Sequence, residues 1–207
     1  MKAINLISAL CLTMLFVVPL HAQWTLGGAI DINIASINVD PEPSSEEYSS
    51  RLGFGFGAVV DRPLSGQFDF HAEPMFLQKG GVIKEDGDEI TFKVHYFEIP
   101  LMIRYTFQKD GSMVPYVMAG PSIGILMSAK IDVKNGPELD QKDDTSGMDF
   151  GLGFGGGAKF PHGNKTYFAE ARYVLGMTNI NSAEGESDVK NRGLQIVAGV
   201  TVPFGDR

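Results

Sequence analysis

Charged side chains recur between apolar residues along this 207-residue sequence, and they are the first candidates for chemistry. Such groups can transfer protons or select ions, or they can neutralise one another as buried pairs. Desolvation makes an unpaired buried charge costly, so we expect paired charges that close the interior of the fold. The predicted internal ion-pair cluster consists of Glu73, Glu98, Arg104, Glu170 and Arg172, and the further inward-facing charges are Asp69, Asp149 and Lys159.

A glycine-rich run at 151–156 (GLGFGG) matches a dinucleotide-binding pattern by letter. That fingerprint requires a strand before it and a helix after it, and no helical pattern follows here. The run instead continues an alternation that is typical of a strand. We predict that its glycines make room for larger neighbours inside a narrow closed sheet.

The remaining catalytic candidates are His71, His95 and His162. No Ser-His-Asp arrangement can be placed from the spacing, so we predict no enzyme, no cofactor and no metal site. We expect His71 to pack in the interior and His162 to lie in a turn. His95 lies near an outward-facing aromatic zone, which leaves a lipid-modifying enzyme as an alternative.

The segment 96–107 dictates how these side chains are positioned. From Phe97 every second residue is apolar, and Glu98 and Arg104 lie in the opposite phase. A strand sends alternate side chains to opposite faces. A soluble sheet would bury the apolar face, whereas a membrane barrel turns it to lipid and points the charges into its lumen.

Eight segments alternate in this way, and the phase of the fifth, at about 114–129, is ambiguous. In the other seven, the apolar face carries no charge between its ends, which favours strands over helices. A change of phase at Tyr96-Phe97 predicts a β-bulge. Pro74, Pro100 and Pro121 remove ladder donors, so we expect bulges or local breaks there.

The N-terminus predicts export. Lys2 precedes an apolar run at 6–20, which is shorter than the roughly 20 residues of a spanning helix. We predict cleavage between Ala22 and Gln23, which divides the chain into a signal peptide (1–22) and a barrel domain (23–207). The only cysteine, Cys11, lies in the signal, so the mature chain has no disulfide.

The predicted connections alternate in length. Long, mostly acidic ones span 36–50, 80–90, 131–147 and 178–190, and short ones span 61–66, 108–113 and 161–165. Up-and-down outer-membrane barrels have long outer loops and short periplasmic turns. The predicted fold is therefore all-β, an eight-stranded antiparallel transmembrane barrel in the cell outer membrane.

Aromatic residues gather near the short connections, as expected of an interfacial girdle on the periplasmic side. A soluble sandwich has no reason to collect aromatics at one end. The predicted girdle consists of Trp24, Phe68, Tyr105, Phe107, Tyr116, Phe160, Tyr167 and Phe204.

The formal net charge of −8 argues against a nucleic-acid partner, which requires clustered lysine and arginine. The acidic connections offer oxygen ligands for Ca²⁺, but none matches the EF-hand pattern. We expect a solvated outer surface, with divalent ions bridging it to lipopolysaccharide phosphates as a weaker alternative.

Four segments carry a family resemblance: 96–101 (YFEIPL), 115–121 (PYVMAGP), 170–173 (EARY) and 176–180 (GMTNI). In order and spacing they resemble the PorT-like, porin-family outer-membrane β-barrel proteins. The resemblance covers essentially all of the mature chain. It implies an eight-stranded barrel in a Gram-negative outer membrane, and it implies little about activity.

We therefore predict a structural or binding role in envelope integrity, adhesion or support of a secretion complex, with the lumen mostly plugged by ion pairs. The expected partners are outer-membrane lipid, lipopolysaccharide, the barrel insertion machinery and envelope or secretion proteins. The main alternative is a narrow porin for small solutes. A soluble lipocalin-like carrier, also eight-stranded, would instead turn its apolar residues inward.

Overall fold

The computed structural model describes residues 23–41, 47–85, 88–108, 110–133, 136–182 and 187–205. Among these residues, no helix is long and apolar enough to cross a membrane. The predicted signal segment and the Ala22 side of the cleavage site lie outside the described residues. The strands are β1 Trp24–Asp40, β2 Glu47–Ser49, β3 Arg51–Ser65, β4 Phe68–Ala72, β5 Met75–Glu85, β6 Asp88–Thr106, β7 Val114–Val133, β8 Glu138–Asp140, β9 Met148–His162, β10 Lys165–Gly176 and β11 Asp188–Phe204.

Neighbouring strands pair antiparallel and close into a ring. β1 pairs with β3 on one side and with β11 on the other, and the chain of pairings continues through β10, β9, β7 and β6. β4 and β5 lie in one line between β3 and β6, so the ring has eight walls. Among the described strands, β2 pairs with β5 alone and β8 pairs with β7 alone. The predicted eight-stranded antiparallel barrel is confirmed.

The faces of the barrel are oriented as a membrane protein requires. Ile30 is 67% exposed while its neighbour Asp31 is 2% exposed, and Ile103 is 44% exposed beside a fully buried Arg104. Apolar side chains thus cover the outside and polar groups fill the inside, the reverse of a lipocalin-like carrier. Hydrocarbon can solvate the exterior, whereas the buried polar groups must find partners in the lumen.

The predicted bulge is present, but the predicted change of face on β6 is wrong. His95 pairs with Ser128, and the next residue, Tyr96, pairs with Leu126, so the extra residue lies on β7. Tyr96 is fully buried and continues the inward phase of Glu98. Apolar residues at 92–96 therefore line the lumen, where they fill space between charged groups.

The structure resolves the ambiguous fifth segment. On β7, Tyr116 and Met118 point inward while Val117 points outward. Both faces of this strand are largely apolar, which removes the alternation from the sequence. The interior of the barrel therefore contains apolar packing as well as charges, as in the buried cluster of Met102, Tyr116 and Met118.

The prolines interrupt pairing without shifting the register. β4 ends at Ala72 and β5 begins at Met75, which confirms a break at Pro74. The amide of Ala58 still donates to the Pro74 carbonyl at 3.0 Å. Between β6 and β7 the ladder lapses after Pro100 and resumes at Ile103 in the same register, because a proline has no N–H to donate.

The predicted long connections are partly strands. β1 continues to Asp40, β7 continues to Val133, and β11 begins at Asp188. β5 and β6 extend as a paired hairpin as far as Glu85 and Asp88. Their polar composition is typical of loops. Backbone hydrogen bonds between strands nevertheless hold polar segments in a sheet where both faces of the sheet contact water. The barrel wall thus projects beyond its apolar band.

Candidate functional site

The middle of the lumen holds a network that we call the central cluster, formed by Asp61, His71, Glu73, Arg104, Tyr116, Glu170 and Arg172. Its members come from β3, β4, β6, β7, β10 and the break before β5. The members on strands face inward because their strands alternate, Glu73 faces inward from the break, and all seven are less than a tenth exposed. The barrel wall thus brings together residues that lie far apart in sequence.

Arg104 joins three strands across the lumen. Its Nη1 donates to Asp61 at 3.1 Å, and its Nη2 donates to Glu170 at 2.7 Å and lies 3.2 Å from Nε2 of His71. Its guanidinium also lies 4.7 Å from the centre of the Tyr116 ring. Charge-assisted bonds and ring contact together compensate for the loss of water around this cation.

Arg172 forms the second centre of the network. It donates to Glu73 and Gln195, and it lies 3.3 Å from Glu170. Asp31 is 3.8 Å away, and within the described residues neither of its oxygens has a hydrogen bond. Four carboxylates therefore surround two guanidinium groups, so the middle of the lumen has more acidic than basic side chains.

Glu98 does not belong to this network, which corrects the sequence prediction. It pairs with Lys79 at 2.9 Å, and Lys79 also pairs with Asp149 at 3.1 Å. We call these three residues the Lys79 cluster. Glu98 lies six residues before Arg104 on β6, about 20 Å along a strand. It therefore bonds at a different level, nearer the long connections.

A third ion pair lies towards the short turns. Lys159 contacts Asp69 at 2.8 Å, and the hydroxyl of Thr106 donates to the same carboxylate at 3.4 Å. Asp69, Asp149 and Lys159 thus face inward, where the sequence places them. Ion pairs at three levels therefore occupy the lumen along its length.

Sequence reasoning missed several partners. Asp61 and Lys79 lie at predicted strand ends, next to connections that the structure shows to be strand. His71 was expected to be internal packing, but its Nδ1 lies 2.6 Å from Asp61 and its Nε2 lies 3.6 Å from Glu73. Alternation predicts a face but not a partner across the barrel, so no sequence signal identified these pairs.

Tyr116 does not belong to the aromatic girdle, so that part of the sequence prediction is wrong. Its side chain is 2% exposed, and its hydroxyl donates to Glu170 at 2.5 Å. The ambiguous phase of β7 caused the error. The ring lies at the level of the girdle residues but on the opposite face of the wall, where its hydroxyl has a charged acceptor.

The other girdle candidates lie on the outside, near the short turns. Register pairs Trp24 with Phe204 and Phe160 with Tyr167, and Phe68 lies opposite Tyr105 with ring centres 5.2 Å apart. Phe107 contacts Tyr105 at 5.5 Å. Seven aromatics thus occupy one level of the outer surface. Their placement at a membrane interface remains a proposal.

One ring nitrogen of His71 and one carboxylate oxygen each of Glu73 and Glu170 lie within 4.8 Å of one another, as metal ligands would. Two guanidinium groups already occupy this donor set. Arg104 bonds to Glu170 and contacts His71, while Arg172 bonds to Glu73. The arrangement therefore neutralises its carboxylates with arginine and does not fit a metal ion.

A cavity beside Lys79 is lined by polar groups that include Asn33, Asn191 and Gln195. Its volume of about 10 Å³ suits one water molecule. The interior at this level is thus filled by side chains. At the level of the central cluster, Gly155 lies opposite Arg172, and an added Cβ there would lie 2.2 Å from the carbonyl oxygen of Ala171.

His95 contacts Ser128 on the outer face of the barrel, with Nδ1 and Oγ 3.1 Å apart. Its ring also lies 5.4 Å from that of Phe76. Within the described residues no carboxylate bonds to His95, so the pair lacks the third member of a catalytic triad. The geometry gives no support to catalysis here.

Exposed ion pairs extend the wall on the side of the long connections. Lys130 on β7 donates to Glu138 on β8 at 2.8 Å, and this hydrogen bond lowers the pKa of Glu138. Lys93 contacts Asp132 at 2.6 Å. Part of the acidic surface, at 86–87 and 183–186, lies outside the described residues, so divalent binding there stays a prediction.

Residues 19–182 match the family described as "Outer membrane protein beta-barrel domain". The chain belongs to this outer membrane β-barrel family. Its fold and its location in the outer membrane follow from that membership together with the lipid-facing apolar surface. No match was found among curated protein sequences.

Solved structures of outer-membrane barrels are similar in fold. Neisserial surface protein A (NspA) is 18% identical with a TM-score of 0.56, and 87% of this chain and 97% of that one are covered. OprG from Pseudomonas aeruginosa is 11% identical with a TM-score of 0.51, covering 89% and 97%. The Escherichia coli outer membrane protease OmpT is 10% identical, covers 90% and 99%, and at a TM-score of 0.48 carries no argument about catalysis.

Proposed function

We propose that this barrel has a structural or binding role and that its lumen is closed to solutes. The observation that supports a closed lumen is the full burial of Arg104 and Arg172, which bond to carboxylates from several strands. The Lys79 cluster adds a second barrier nearer the long connections. Opening a path for solutes through the lumen would separate these buried charges from their partners, which is costly in free energy.

Planar-bilayer recording tests this proposal. The refolded wild-type protein is expected to show no steady single-channel steps, while a known porin in the same bilayer does. Steady steps from the wild type would favour the narrow-porin alternative. Since carboxylates outnumber cations in the central cluster, such a channel would be expected to pass cations in preference to anions.

A binding role is supported by the wall that projects beyond the apolar band. β2, β8 and the hairpin of β5 and β6 present polar edges and exposed ion pairs to the outside. In the family's membrane orientation, this end faces the cell exterior. Adhesion, envelope integrity and support of a secretion complex are the roles that such a surface can serve.

The finer identity is also a proposal. The motifs at 96–101, 115–121, 170–173 and 176–180 support a PorT-like, porin-family member that is exported and cleaved between Ala22 and Gln23. Its proposed partners are outer-membrane lipid, lipopolysaccharide, the barrel insertion machinery and envelope or secretion proteins. N-terminal sequencing of the protein from outer-membrane fractions tests the cleavage site.

A further inference from the structure

The Lys79 cluster places one ammonium group against two carboxylates inside the barrel. Nζ of Lys79 lies 2.9 Å from Oε2 of Glu98 and 3.1 Å from Oδ2 of Asp149. The three residues come from β5, β6 and β9, and each is less than a tenth exposed. The centre of the Tyr96 ring lies 5.0 Å from the same nitrogen. An amine and two carboxyl groups therefore meet where water has little access.

Gly124 on β7 lets the two carboxylates of this cluster lie side by side. It pairs with Glu98 on one side and with Asp149 on the other, so the three positions lie at one level of the wall. A Cβ atom at position 124 would lie 2.8 Å from Oε2 of Glu98. The absence of a side chain there leaves room for two carboxyl groups to share a single lysine.

One ammonium cannot neutralise two carboxylates. Arg104, Arg172 and Lys159 bond to carboxylates at other levels of the lumen. Because an uncompensated buried charge is costly, the cluster is most stable when one of its carboxyl groups carries a proton. An amine, two carboxyl groups and a shared proton are the components that an amide condensation requires.

The two oxygens of Asp149 have different surroundings. Oδ2 accepts a hydrogen bond from the Lys79 ammonium and another, at 2.9 Å, from the side-chain amide of Asn191. Oδ1 has no hydrogen bond within the part of the chain that the structure describes. Donors on Oδ2 stabilise negative charge there during an attack on the carboxyl carbon, as an oxyanion hole does. Oδ1 is then the oxygen that can take up protons and leave.

We propose that Lys79 and Asp149 form an amide bond across the lumen. Glu98 gives its proton to Oδ1 of Asp149 and takes one from the Lys79 ammonium, and the neutral amine attacks Cγ of Asp149. The C–N bond forms and the C–Oδ1 bond breaks as Glu98 carries a second proton from nitrogen to Oδ1, which leaves as water. Glu98 ends with the proton it began with. One ammonium and one carboxylate are consumed, and no co-reactant is required.

The surroundings favour the amide over the ion pair. Condensation removes two buried charges from the lumen, and the exclusion of water opposes hydrolysis of the product. The bond joins β5 to β9, with β6 and β7 between them in the ring. Its formation does not depend on whether solutes pass through the lumen, so bilayer conductance does not decide it.

Intact-mass spectrometry of the folded protein, purified from outer membranes, tests the bond. The wild type is expected to be lighter by one water molecule than its unmodified residues, and its digest is expected to contain a branched peptide that joins Lys79 to Asp149. Lys79→Arg keeps the positive charge but removes the attacking amine, so it is expected to lose no water. Asp149→Asn is expected to lose ammonia instead of water, because it forms the same amide.

Lys159→Arg is the matched control, because Lys159 is also a lumenal lysine but pairs with Asp69. It is expected to lose one water molecule as the wild type does. Glu98→Gln removes the proton carrier and is expected to keep Lys79 and Asp149 unlinked. Heat-modifiable migration on a gel reports that each variant is folded.

Two results would overturn the proposal. The first is a folded wild type with the mass of its unmodified residues and no branched peptide. The second is a loss of water that persists in Lys79→Arg, since that loss would have to arise at another residue.

Discussion

At the scale of single residues, Arg172 is a side chain on which several buried groups depend. It contacts Glu73, Glu170 and Gln195 and approaches Asp31. Removing one partner of a buried ion pair leaves the others uncompensated, which costs more than the pair itself contributes. Its loss is therefore a sharp test of the packed-lumen interpretation.

Replacing Arg172 by Leu is expected to destabilise the refolded barrel by about 3–5 kcal/mol, because Glu73 loses its guanidinium partner and Glu170 keeps only Arg104. Urea unfolding in lipid vesicles, followed by heat-modifiable migration, measures the change. Lys165→Leu on the same strand is the control, since Lys165 is exposed. Equal unfolding midpoints for Arg172→Leu and the wild type would contradict a paired lumen.

A substitution at Tyr116 tests whether this side chain acts in the lumen or in the aromatic girdle. Tyr116→Phe removes the hydroxyl that donates to Glu170, and a hydrogen bond to a charged group contributes about 1.5–3 kcal/mol. Tyr105→Phe is the matched control, because Tyr105 packs against Phe68 and Phe107 on the outside. We expect the unfolding midpoint to fall only for Tyr116→Phe. A similar fall of the unfolding midpoint in both variants would indicate that Tyr116 contributes by packing alone and not through its hydrogen bond.

How far the sequence can predict the site depends on the residue types that face inward. Charges such as Glu98 and Arg104 reveal their face, because an ionised group on the lipid side is costly. Tyr96 and Tyr116 are apolar enough to suit either face, so alternation fails for them. The partners of Arg104 lie 33 to 66 residues away in sequence, and only barrel closure brings them into contact.

At the scale of strands, close approach between β9 and β10 depends on glycine. The segment 151–156 (GLGFGG) lies within β9, and the strand register places Gly155 opposite Arg172 on β10. The existence of the strands was predictable because a period of two repeats in seven of the eight walls, all except β7. The ends of the strands were not predictable, because paired hairpins with both faces in water carry the same polar residues as loops.

Gly155→Ala is expected to destabilise the barrel by about 2 kcal/mol or more, because the added methyl group overlaps backbone of β10 that cannot move without breaking the ladder. Gly147→Ala is the control, since a Cβ at that position has no atom within 4 Å. The folded fraction on a gel measures both. An unaffected Gly155→Ala barrel would show that β9 and β10 can separate at this level.

At the scale of the whole molecule, closure joins the two ends of the described chain. β1 pairs with β11 along its full length, from Trp24 opposite Phe204 to Asp40 opposite Asp188. The same pairing fixes the single tryptophan at the level of the short turns. Its depth in a bilayer therefore reports where the whole cylinder lies relative to the membrane.

Trp24 is 38% exposed on the outside of the barrel, with the Arg62 guanidinium 4.8 Å from the ring centre. An indole beside a cation belongs at the membrane interface and not among the acyl chains. We therefore expect lipids brominated near the headgroup to quench its fluorescence more strongly than lipids brominated near the chain ends. Trp24→Phe/Ile32→Trp moves the indole to an outward position in the apolar band and is expected to reverse that order. If deep bromines quench Trp24 itself more strongly, the aromatic level does not mark the edge of the membrane, and the span of the apolar band must be shifted along the barrel axis.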